Sequence, residues 1–555
     1  MALAVFGGGP PPSAATLAAL AAGGALLLLV ARALLSFVTG VLRHRRIPVP
    51  APPESSLLLG HAGTLLVDTS PLKMAKWVRE YGPIIKVRIM NDTIVMLTDA
   101  AAITRLNRLP GIYKPNLYRA FDLPSARNPS LFSDAGSPYQ KDAKAECGPT
   151  SSFATRRSAQ AVRAAIAPCF SVSSLKRTFP WLQRLCQLAV AELAAEGPRG
   201  PVDVSDLAAR LTSDTIGDVL LSKDLGAMTP QRSGAQEGGA GDATDYIALV
   251  RQLLLAVHAK MNDPFYSLRR LTAKGRAHEA AFAAWDSVMD SIARDVLKTT
   301  PPEYTLAGHL LRVVDPTTGK PLTLDKLKGE LSNLYIAGFE TTSHAITWTL
   351  GLLAAHPQQQ DALAAELARV GLAPSDVHPE PRPFEWGDLS RLPLLNATIK
   401  ESLRLFAPAA GGSLRALPCD TEILGYTVPK GTMVSQPLFS LGRATRNYGQ
   451  DVDEFKPERW ISGGGDDGAA ADGDKPKAEL PDPLPFSVGP RDCVGRALAM
   501  LELQAVLATL VGRFSFALPP GVEGEGVAVL EAMVCYHITL HARNGMPLLV
   551  TPREA

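Results

Sequence analysis

The sequence predicts a mainly α-helical fold with a small β portion, preceded by one helix long enough to span a membrane. Helical spacing of apolar residues dominates the chain, whereas strand-like patterns are confined to residues 83–99, 421–438 and 534–551. A nearly uncharged apolar run precedes them at residues 13–42. With 46% hydrophobic and 20% charged residues, the 555-residue chain can bury a large core.

Charge and cysteine content exclude two classes of protein. The net charge of +2 indicates no polyanionic partner, so the chain is not expected to bind nucleic acid. Six cysteines in 555 residues are too few for a disulfide scaffold and suit a reducing compartment. One of them lies in the loop described below. The other five show no paired spacing such as Cys-x-x-Cys, and we interpret them as ordinary thiols: Cys147, Cys169, Cys186, Cys419 and Cys535.

The first element is the apolar run, which predicts a membrane anchor formed by residues 1–42. About 20 apolar residues span a bilayer, and Arg32 is the single charge in the run. The basic cluster at 43–46 places the chain after it in the cytosol by the positive-inside tendency. Residues 43–54, basic and then proline-rich, predict a hinge. A cleaved signal peptide is disfavoured because the N-terminal segment lacks a basic n-region. An organellar transit peptide remains an alternative, because this segment is rich in alanine.

The remaining elements begin with a predicted β-hairpin at 83–99. We expect residues 55–555 to form one large domain, because the motifs below are spread along it and work only when they are assembled together. Two segments without apolar periodicity are predicted to be solvated loops, namely 231–242 and 462–477. The second defines an insertion at 461–480.

A long apolar helical pattern at 331–350 is interrupted by small and polar residues, namely Ala337, Gly338, Glu340 and Thr341. The two small residues would let the helix pass close to a flat cofactor, and the glycine weakens the helix locally. The threonine side chain can divert a backbone hydrogen bond. A Glu-Thr sequence in a helix more often lies on a face exposed to solvent. An acidic side chain followed by a hydroxyl can, however, also relay protons into a pocket that excludes water. Glu340 and Thr341 are therefore a candidate proton-delivery pair.

The segment 486–495 presents Cys493 in a glycine-flanked turn just before another apolar helical pattern. Gly489 and Gly495 let the backbone bend tightly, while peptide N–H groups and the helix start favour a deprotonated sulfur. Arg491 adds a fixed positive charge. An arbitrary cysteine is more often a small buried hydrophobe, but this context indicates a thiolate that ligates a metal.

Written as Phe-x-x-Gly-x-Arg-x-Cys-x-Gly, the segment from Phe486 to Gly495 resembles the haem-binding signature of the cytochrome P450 family at every fixed position. The resemblance implies haem b with Cys493 as the proximal iron ligand. It implies a mainly helical prism that encloses this haem. The stretch around Glu340 and Thr341 resembles the distal oxygen-activation motif of the same family, which adds support to their role in proton delivery.

Glu401 and Arg404 lie three residues apart on one helical face and, with Arg459, resemble the buried Glu-Arg-Arg triad of the family. Glu-x-x-Arg alone is common and contributes less than about 1 kcal/mol at a surface. In the family context its implied role is structural. A carboxylate can hold planar guanidinium groups bidentately and so lock the cysteine loop against the core.

Two haem propionates need cationic partners, and three arginines are candidates. Arg491 is the first by position. The resemblance adds Arg415, which follows the Glu-x-x-Arg helix, and Arg163, which lies in a segment similar to the family's Trp-x-x-x-Arg helix. Ala159 stands where the tryptophan is usual, so this segment departs from the family pattern at the haem edge.

The resemblance implies a monooxygenase that inserts one oxygen atom from O₂ into a lipophilic small molecule. Electrons are expected from NADPH through a membrane-bound flavoprotein reductase, because the chain has no Gly-x-Gly-x-x-Gly dinucleotide fingerprint between a predicted strand and a helix; the pattern occurs at 463–468, within a predicted solvated loop. Two alternatives stay open. One is a haem-thiolate isomerase or dehydratase, which the Glu340 and Thr341 pair argues against, and the other is a non-catalytic haem or lipid carrier.

The anchor and the apolar surroundings favour a fatty acid, sterol or terpenoid as substrate. The stretch 441–460 is similar to plant-type fatty-acid ω-hydroxylases. We expect a single-pass membrane protein, in contact with membrane lipid, whose catalytic domain is cytosolic, at the endoplasmic reticulum or a plastid membrane. The pocket walls are expected from five segments: 113–154, 246–265, 273–297, 336–342 and 409–413.

Overall fold

The structure of the chain is a computed structural model that describes residues 14–123, 153–229, 246–263, 265–316, 318–461, 480–522 and 524–554. These residues are mainly helical with small sheets, which confirms the predicted fold class. The predicted loop at 231–242 lies outside the described residues. The same is true of the predicted insertion except at its edges, residues 461 and 480.

Helices form most of the described part of the chain, and the longest are the N-terminal helix and a central one. In chain order the α-helices are α1 (Ala14–Arg46), α2 (Ala62–Leu65), α3 (Ser70–Tyr81), α4 (Ala100–Asn107), α5 (Phe153–Ile166), α6 (Val172–Glu196), α7 (Val204–Leu221), α8 (Tyr246–Asn262), α9 (Tyr266–Arg269), α10 (Ala273–Thr299), α11 (Leu306–Leu310), α12 (Leu324–Ala355), α13 (Pro357–Arg369), α14 (Pro393–Leu405), α15 (Leu438–Leu441), α16 (Thr445–Tyr448), α17 (Arg496–Arg513) and α18 (Gly526–Ala532). Short 3₁₀ turns occur at Asn116–Phe121, Ala167–Phe170, Gly197–Arg199, Trp386–Ser390 and Pro457–Trp460.

The strands are short and form two small sheets and three hairpins. They are β1 (Ile84–Ile89), β2 (Asp92–Leu97), β3 (Val202–Asp203), β4 (Val314–Asp315), β5 (Lys320–Pro321), β6 (Ser413–Ala416), β7 (Thr421–Ile423), β8 (Tyr426–Val428), β9 (Met433–Gln436), β10 (Phe514–Ala517), β11 (Val534–His537), β12 (Thr539–Ala542) and β13 (Pro547–Pro552). The sheets have the orders β1-β2-β9-β6 and β10-β13-β3, and the hairpins are β4-β5, β7-β8 and β11-β12. All three regions with predicted strands are therefore confirmed.

The predicted hairpin at 83–99 is the edge of the larger sheet. Its strands pair antiparallel from Ile84 opposite Leu97 to Ile89 opposite Asp92. β9 then adds parallel to β2, and β6 adds antiparallel to β9. This order carries Arg415 of β6 into the sheet, where it lies opposite Val434.

Helix α12 crosses the core of the helical part. It packs most extensively on α7 and also on α10, α14 and α17. A helix that is apolar nearly all round has to be buried, and α12 contributes several fully buried side chains, among them Phe339, Trp348 and Leu350. Because α17 begins directly after the cysteine loop, its packing on α12 sets the spacing between that loop and the central helix.

The N-terminal helix α1 includes the one candidate membrane span among the described residues, Ala21–Arg46, which contains an 18-residue window with a mean hydropathy of 2.3. Most of its large apolar side chains are exposed, including Leu27, Leu28 and Leu35. The basic cluster at 43–46 forms the last turn of this helix rather than following it.

The end of α1 is fixed to the globular part. Lys86 Nζ on β1 donates to the carbonyl oxygens of His44 at 2.8 Å and of Ile47 at 2.5 Å, and the Asn91 amide donates to Ser36 Oγ at 2.9 Å. Ile47, in the predicted hinge, is fully buried. The segment between α1 and the first strand therefore folds onto the sheet.

A groove of about 510 Å³ lies between α1 and the globular part. Its lining is mainly apolar and includes Leu29, Phe37, Leu58, Met90 and Phe265. Leu58 and Phe265 are also among the exposed large apolar residues. The groove thus continues the apolar surface of α1 onto the globule.

Candidate functional site

The cysteine loop 486–495 is closed by a backbone hydrogen bond, in which the Cys493 N–H donates to the Phe486 carbonyl oxygen at 2.9 Å. Gly489 has a φ of 89°, and a Cβ there would lie 2.9 Å from the Asn107 carbonyl oxygen. Glycine is therefore required at this position. Gly495 has an ordinary φ of −85° and forms the N-cap of α17.

The Cys493 side chain keeps accessible surface although protein surrounds the thiol. Burial raises the pKa of this thiol above its ordinary value, while the Gly495 backbone, Arg163 and Arg496 act to lower it. The sequence predicts that the backbone N–H groups and the start of the helix lower the pKa of Cys493. Burial raises this pKa by more than these groups lower it.

Arg163 of α5 is bound by the loop itself. Its Nη1 donates to the Asp492 carbonyl oxygen at 2.8 Å, and its Nη2 pairs with the Asp492 carboxylate. The resemblance to the family implies that this arginine contacts a haem propionate. The geometry shows instead a guanidinium that is tied to the residue next to Cys493.

Arg415 of β6 is only 3% exposed. Its guanidinium interacts with the Tyr118 hydroxyl and donates to the Leu414 carbonyl oxygen at 3.2 Å. Among the residues that the structure describes, no carboxylate forms an ion pair with it, and burial lowers its pKa. A buried cation is stable when an anion accompanies it, so this position suits an acidic group of a ligand.

Arg491 and Phe486 lie in the cysteine loop, and both are half-buried. The Phe486 ring contacts the core, and the guanidinium of Arg496 lies 5.4 Å from the centre of that ring. Both predicted residues are therefore on the segment that holds the sulfur.

Helix α12 is mostly buried, but in its middle one narrow face, called the stripe below, is accessible. Ala337 is exposed, and Ile336, Thr341 and His344 are half-buried. Thr341 Oγ1 donates to the Ala337 carbonyl oxygen at 2.8 Å, as the sequence predicts for a diverted backbone hydrogen bond. The spacing of Ala337 and Thr341, one helical turn, puts both on the same face.

Gly338 has a packing role that the sequence does not predict. A Cβ at this position would lie 2.5 Å from Ile216 Cδ1 on α7. The glycine therefore allows close packing of α12 on α7, and the accessible small residue on the stripe is Ala337. A helical pattern alone does not show which neighbour covers each face, and contact of Gly338 with a cofactor stays a prediction.

Glu340 is 7% exposed. Its Oε1 lies 3.0 Å from His344 Nε2 and accepts a hydrogen bond from Thr539 Oγ1 at 3.1 Å. Burial raises the pKa of Glu340, but His344, Thr539 and His541 together outweigh burial and bring the pKa below its ordinary value. The carboxylate form is therefore favoured.

Glu340 and Thr341 do not hydrogen-bond to each other, because successive helical side chains point about 100° apart. The acid contacts His344 and Thr539, whereas the alcohol contacts its own helix. Sequence reasoning missed both partners of Glu340. His344 could have been found from its i+4 spacing, but Thr539 lies 199 residues away and carries no such signal.

The predicted triad residues Glu401, Arg404 and Arg459 meet in one network, with side chains at most 6% exposed. Glu401 Oε1 lies 2.7 Å from Arg404 Nη2 and 2.8 Å from Arg459 Nε. The Trp460 indole and the Lys456 backbone N–H also donate to this carboxylate, at 2.8 Å and 3.0 Å. The last two partners were not predicted.

Arg404 also binds the irregular chain that leads to Arg459. Its guanidinium donates to the carbonyl oxygens of Gly442 at 2.5 Å, Val452 at 2.6 Å and Glu454 at 3.0 Å. The network therefore fixes α14 to the segment 442–460 through backbone as well as side-chain contacts.

Glu502 of α17 links the cysteine loop's helix to the central helix. It is 1% exposed and hydrogen-bonds to Thr342 of α12 and Thr215 of α7. Burial raises its pKa well above the ordinary value, so the neutral acid is favoured. No motif in the sequence points to this residue.

Three of these observations test whether the site fits a haem. Cys493 offers an enclosed and accessible sulfur, Arg415 is a buried cation without a carboxylate partner among the described residues, and Ala337 leaves one face of α12 open. An iron ligand, a partner for a propionate and room for a flat macrocycle are what haem binding requires. The residues present fit the group.

Comparisons with known proteins agree with this site. The family model for cytochrome P450 matches residues 50–535. The chain is 26% identical over 530 residues to cytochrome P450 monooxygenase claO of Ampulloclitocybe clavipes, covering 89% of this chain and 90% of that protein. It is 28% identical over 313 residues to cyclooctat-9-en-7-ol 5-monooxygenase of Streptomyces melanosporofaciens, covering 56% of this chain and 62% of that protein.

A third relative is cytokinin hydroxylase of Arabidopsis thaliana, which is 30% identical over 269 residues, covering 48% of this chain and 46% of that protein. The matched family region includes the central helix, the triad and the cysteine loop. The chain therefore belongs to the cytochrome P450 family and is a monooxygenase of the P450 type.

Proposed function

We propose that this chain is a membrane-anchored haem-thiolate monooxygenase that inserts one oxygen atom from O₂ into a lipophilic substrate. Its electrons come from NADPH through a flavoprotein reductase. The observation that carries the proposal is the enclosed, accessible sulfur of Cys493, held directly before a helix that packs on α12. An isomerase or a carrier would have no need of the acid and the alcohol on α12.

Haem b would be held by Cys493 as its iron ligand. Arg415, buried without a carboxylate partner among the described residues, holds one propionate, and Arg491 of the loop assists. Phe486 and Ala337 would line the space for the haem. Arg163 acts indirectly, because it holds Asp492 beside the ligand. A thiolate-ligated haem supplies the activation of O₂ and the cleavage of its O–O bond.

Proton delivery is the part of the reaction that the chain itself performs. Thr341 presents its hydroxyl on the accessible stripe of α12, and Glu340 holds a carboxylate one residue away at the helix's buried side. Because the carboxylate form of Glu340 is favoured, this residue is proposed to take up a proton and pass it on rather than to store one.

The substrate is proposed to be a fatty acid, sterol or terpenoid. Support comes from the apolar core around the site and from the apolar groove that joins α1 to the globule. The names of two relatives specify different small molecules, a cytokinin and cyclooctat-9-en-7-ol. They support oxidation of a small organic molecule and leave its class to experiment.

The chain is proposed to be anchored by residues 1–42, with residues 55–555 as the cytosolic haem domain and the segment 43–54 between them. The long apolar helix α1, with its exposed leucines, supports this arrangement. The endoplasmic reticulum, or a plastid membrane, is the proposed location.

The function is tested with the purified full-length ferric protein and a panel of fatty acids, sterols, terpenoids and carotenoids. We expect a member of the panel to shift the Soret band from low to high spin, and to be oxygenated when NADPH and a reductase are added. If a compound shifts the Soret band and is converted in the absence of NADPH and reductase, this result would contradict the proposed monooxygenase activity and favour an isomerase.

Replacing Thr341 by alanine is expected to uncouple the reaction, because the hydroxyl on the stripe is lost. Product formation should fall on the order of 10²-fold, while NADPH consumption continues and hydrogen peroxide is released. Thr341→Ser should restore coupling. Thr347→Ala is the matched control, because Thr347 makes the same type of hydrogen bond, to the Ser343 carbonyl oxygen, on the same helix. Normal coupling in Thr341→Ala would refute the role.

Removing the triad carboxylate is expected to abolish haem incorporation. Glu401→Ala leaves buried guanidinium groups unpaired, which should lower the free energy of unfolding by about 3 to 5 kcal/mol. Haem content and chemical denaturation measure both effects. Glu196→Ala is the control, since it removes an exposed i, i+3 pair with Arg199 and should cost less than about 1 kcal/mol. A Glu401→Ala protein with a full haem complement would show that the triad is dispensable.

Deleting residues 1–35 should release the protein from membranes. The cut spares Ser36 and the end of α1, which bind the sheet, so the globule should keep its haem spectrum. Sedimentation with vesicles measures release. A truncated protein that still sediments completely would mean that the anchor lies elsewhere, for example around Leu58 and Phe265.

A further inference from the structure

The hairpin β11-β12 carries a cluster that the proposed oxygenation does not use. Cys535 and His537 are two residues apart on β11, and alternation along a strand puts both side chains on one face. His541 of β12 lies directly opposite Cys535 in the register of the hairpin. Cross-strand partners share a face, so the backbone pairing alone brings a thiol and two imidazoles together.

The side chains confirm that the cluster is compact. The sulfur and one nitrogen of each imidazole all lie within 4.8 Å of one another. The Cys535 sulfur is 3.6 Å from His537 Nδ1. In a tetrahedral zinc site with bonds of about 2.3 Å to sulfur and 2.0 Å to nitrogen, the same separation is about 3.6 Å. One edge of such a site is therefore already formed.

We propose that Cys535, His537 and His541 bind one Zn²⁺ ion. Thiolate and imidazole are the ligands that this ion prefers. Cys535 is 4% exposed and the two histidines are half-buried, so the ion would be enclosed by protein yet reachable from solvent. On binding, the thiol gives up its proton to solvent and a sulfur–zinc bond forms.

The fourth zinc position is open to water or to Asp68. The Asp68 carboxylate lies 3.8 Å from the Cys535 sulfur, but it is also paired with Arg543. From the sequence alone, Cys535 is predicted to be an ordinary thiol, because no second cysteine lies at a metal-ligand spacing from it. The pattern Cys-x-His-x₃-His becomes a cluster only through the hairpin register.

The proposed zinc site is coupled to Glu340 by direct contacts. Thr539, between the two histidine ligands, donates to Glu340 Oε1, and His541 stacks on His344 with ring centres 5.6 Å apart. His344 in turn lies 3.0 Å from the same carboxylate oxygen. Movement of His541 onto zinc would therefore change the surroundings of Glu340.

The test uses the haem-loaded full chain, dialysed against micromolar ZnCl₂ and analysed for zinc and iron. We expect one zinc per iron in the wild type. Cys535→Ser and His541→Gln should each weaken zinc binding at least about tenfold, while Cys419→Ser, which changes a half-buried cysteine outside the cluster, should leave it unchanged. Haem content and thermal midpoint verify that each variant is folded.

Equal zinc-to-iron ratios in the wild type and Cys535→Ser, whether both near zero or both high, would overturn the site. A second readout is product formed per NADPH, which zinc should lower in the wild type and not in Cys535→Ser. Only this second expectation rests on the proposed role of Glu340. If zinc binds but the product formed per NADPH does not change, the link between the zinc site and Glu340 is refuted. If zinc lowers turnover without binding to the protein, the zinc site itself is refuted.

Discussion

The packing of α17 on α12 is the constraint on which the rest of the site depends. Cys493 precedes α17 directly, so the position of its sulfur relative to Ala337 and Thr341 is fixed by how these two helices meet. Glu502 reinforces the contact, because its neutral acid hydrogen-bonds across the helix interface. Close packing of α12 on α7, which Gly338 permits, holds the central helix from the other side.

Buried charges in this protein are satisfied in two different ways. The Glu401 network is complete within the chain, because two guanidinium groups, an indole and a backbone N–H surround one carboxylate. Arg415 is also buried but has no carboxylate partner among the described residues. The first arrangement is complete without a ligand, whereas the second leaves a buried cation that a ligand's acidic group could pair with.

Sequence reasoning was most successful where the signal is local. The three strand regions, the central helix and the Glu401–Arg404 pair follow from spacing along one element. It failed where a distant element decides the environment. Gly338 packs closely on Ile216, Thr539 reaches Glu340 from 199 residues away, and burial outweighs the groups that lower the pKa of Cys493. These outcomes depend on tertiary contacts that periodicity does not encode.

The fixed end of α1 has a consequence for how the protein meets its substrate. Lys86 and Asn91 hydrogen-bond to the last turns of this helix. If α1 is inserted in a membrane, these bonds would hold the globular part at a fixed tilt to the bilayer. The groove near Leu58 and Phe265 would then lie at the lipid surface. An apolar compound would then be sampled from the bilayer, where it is concentrated, and its aqueous solubility would matter little. Lateral diffusion in the membrane would set the encounter rate.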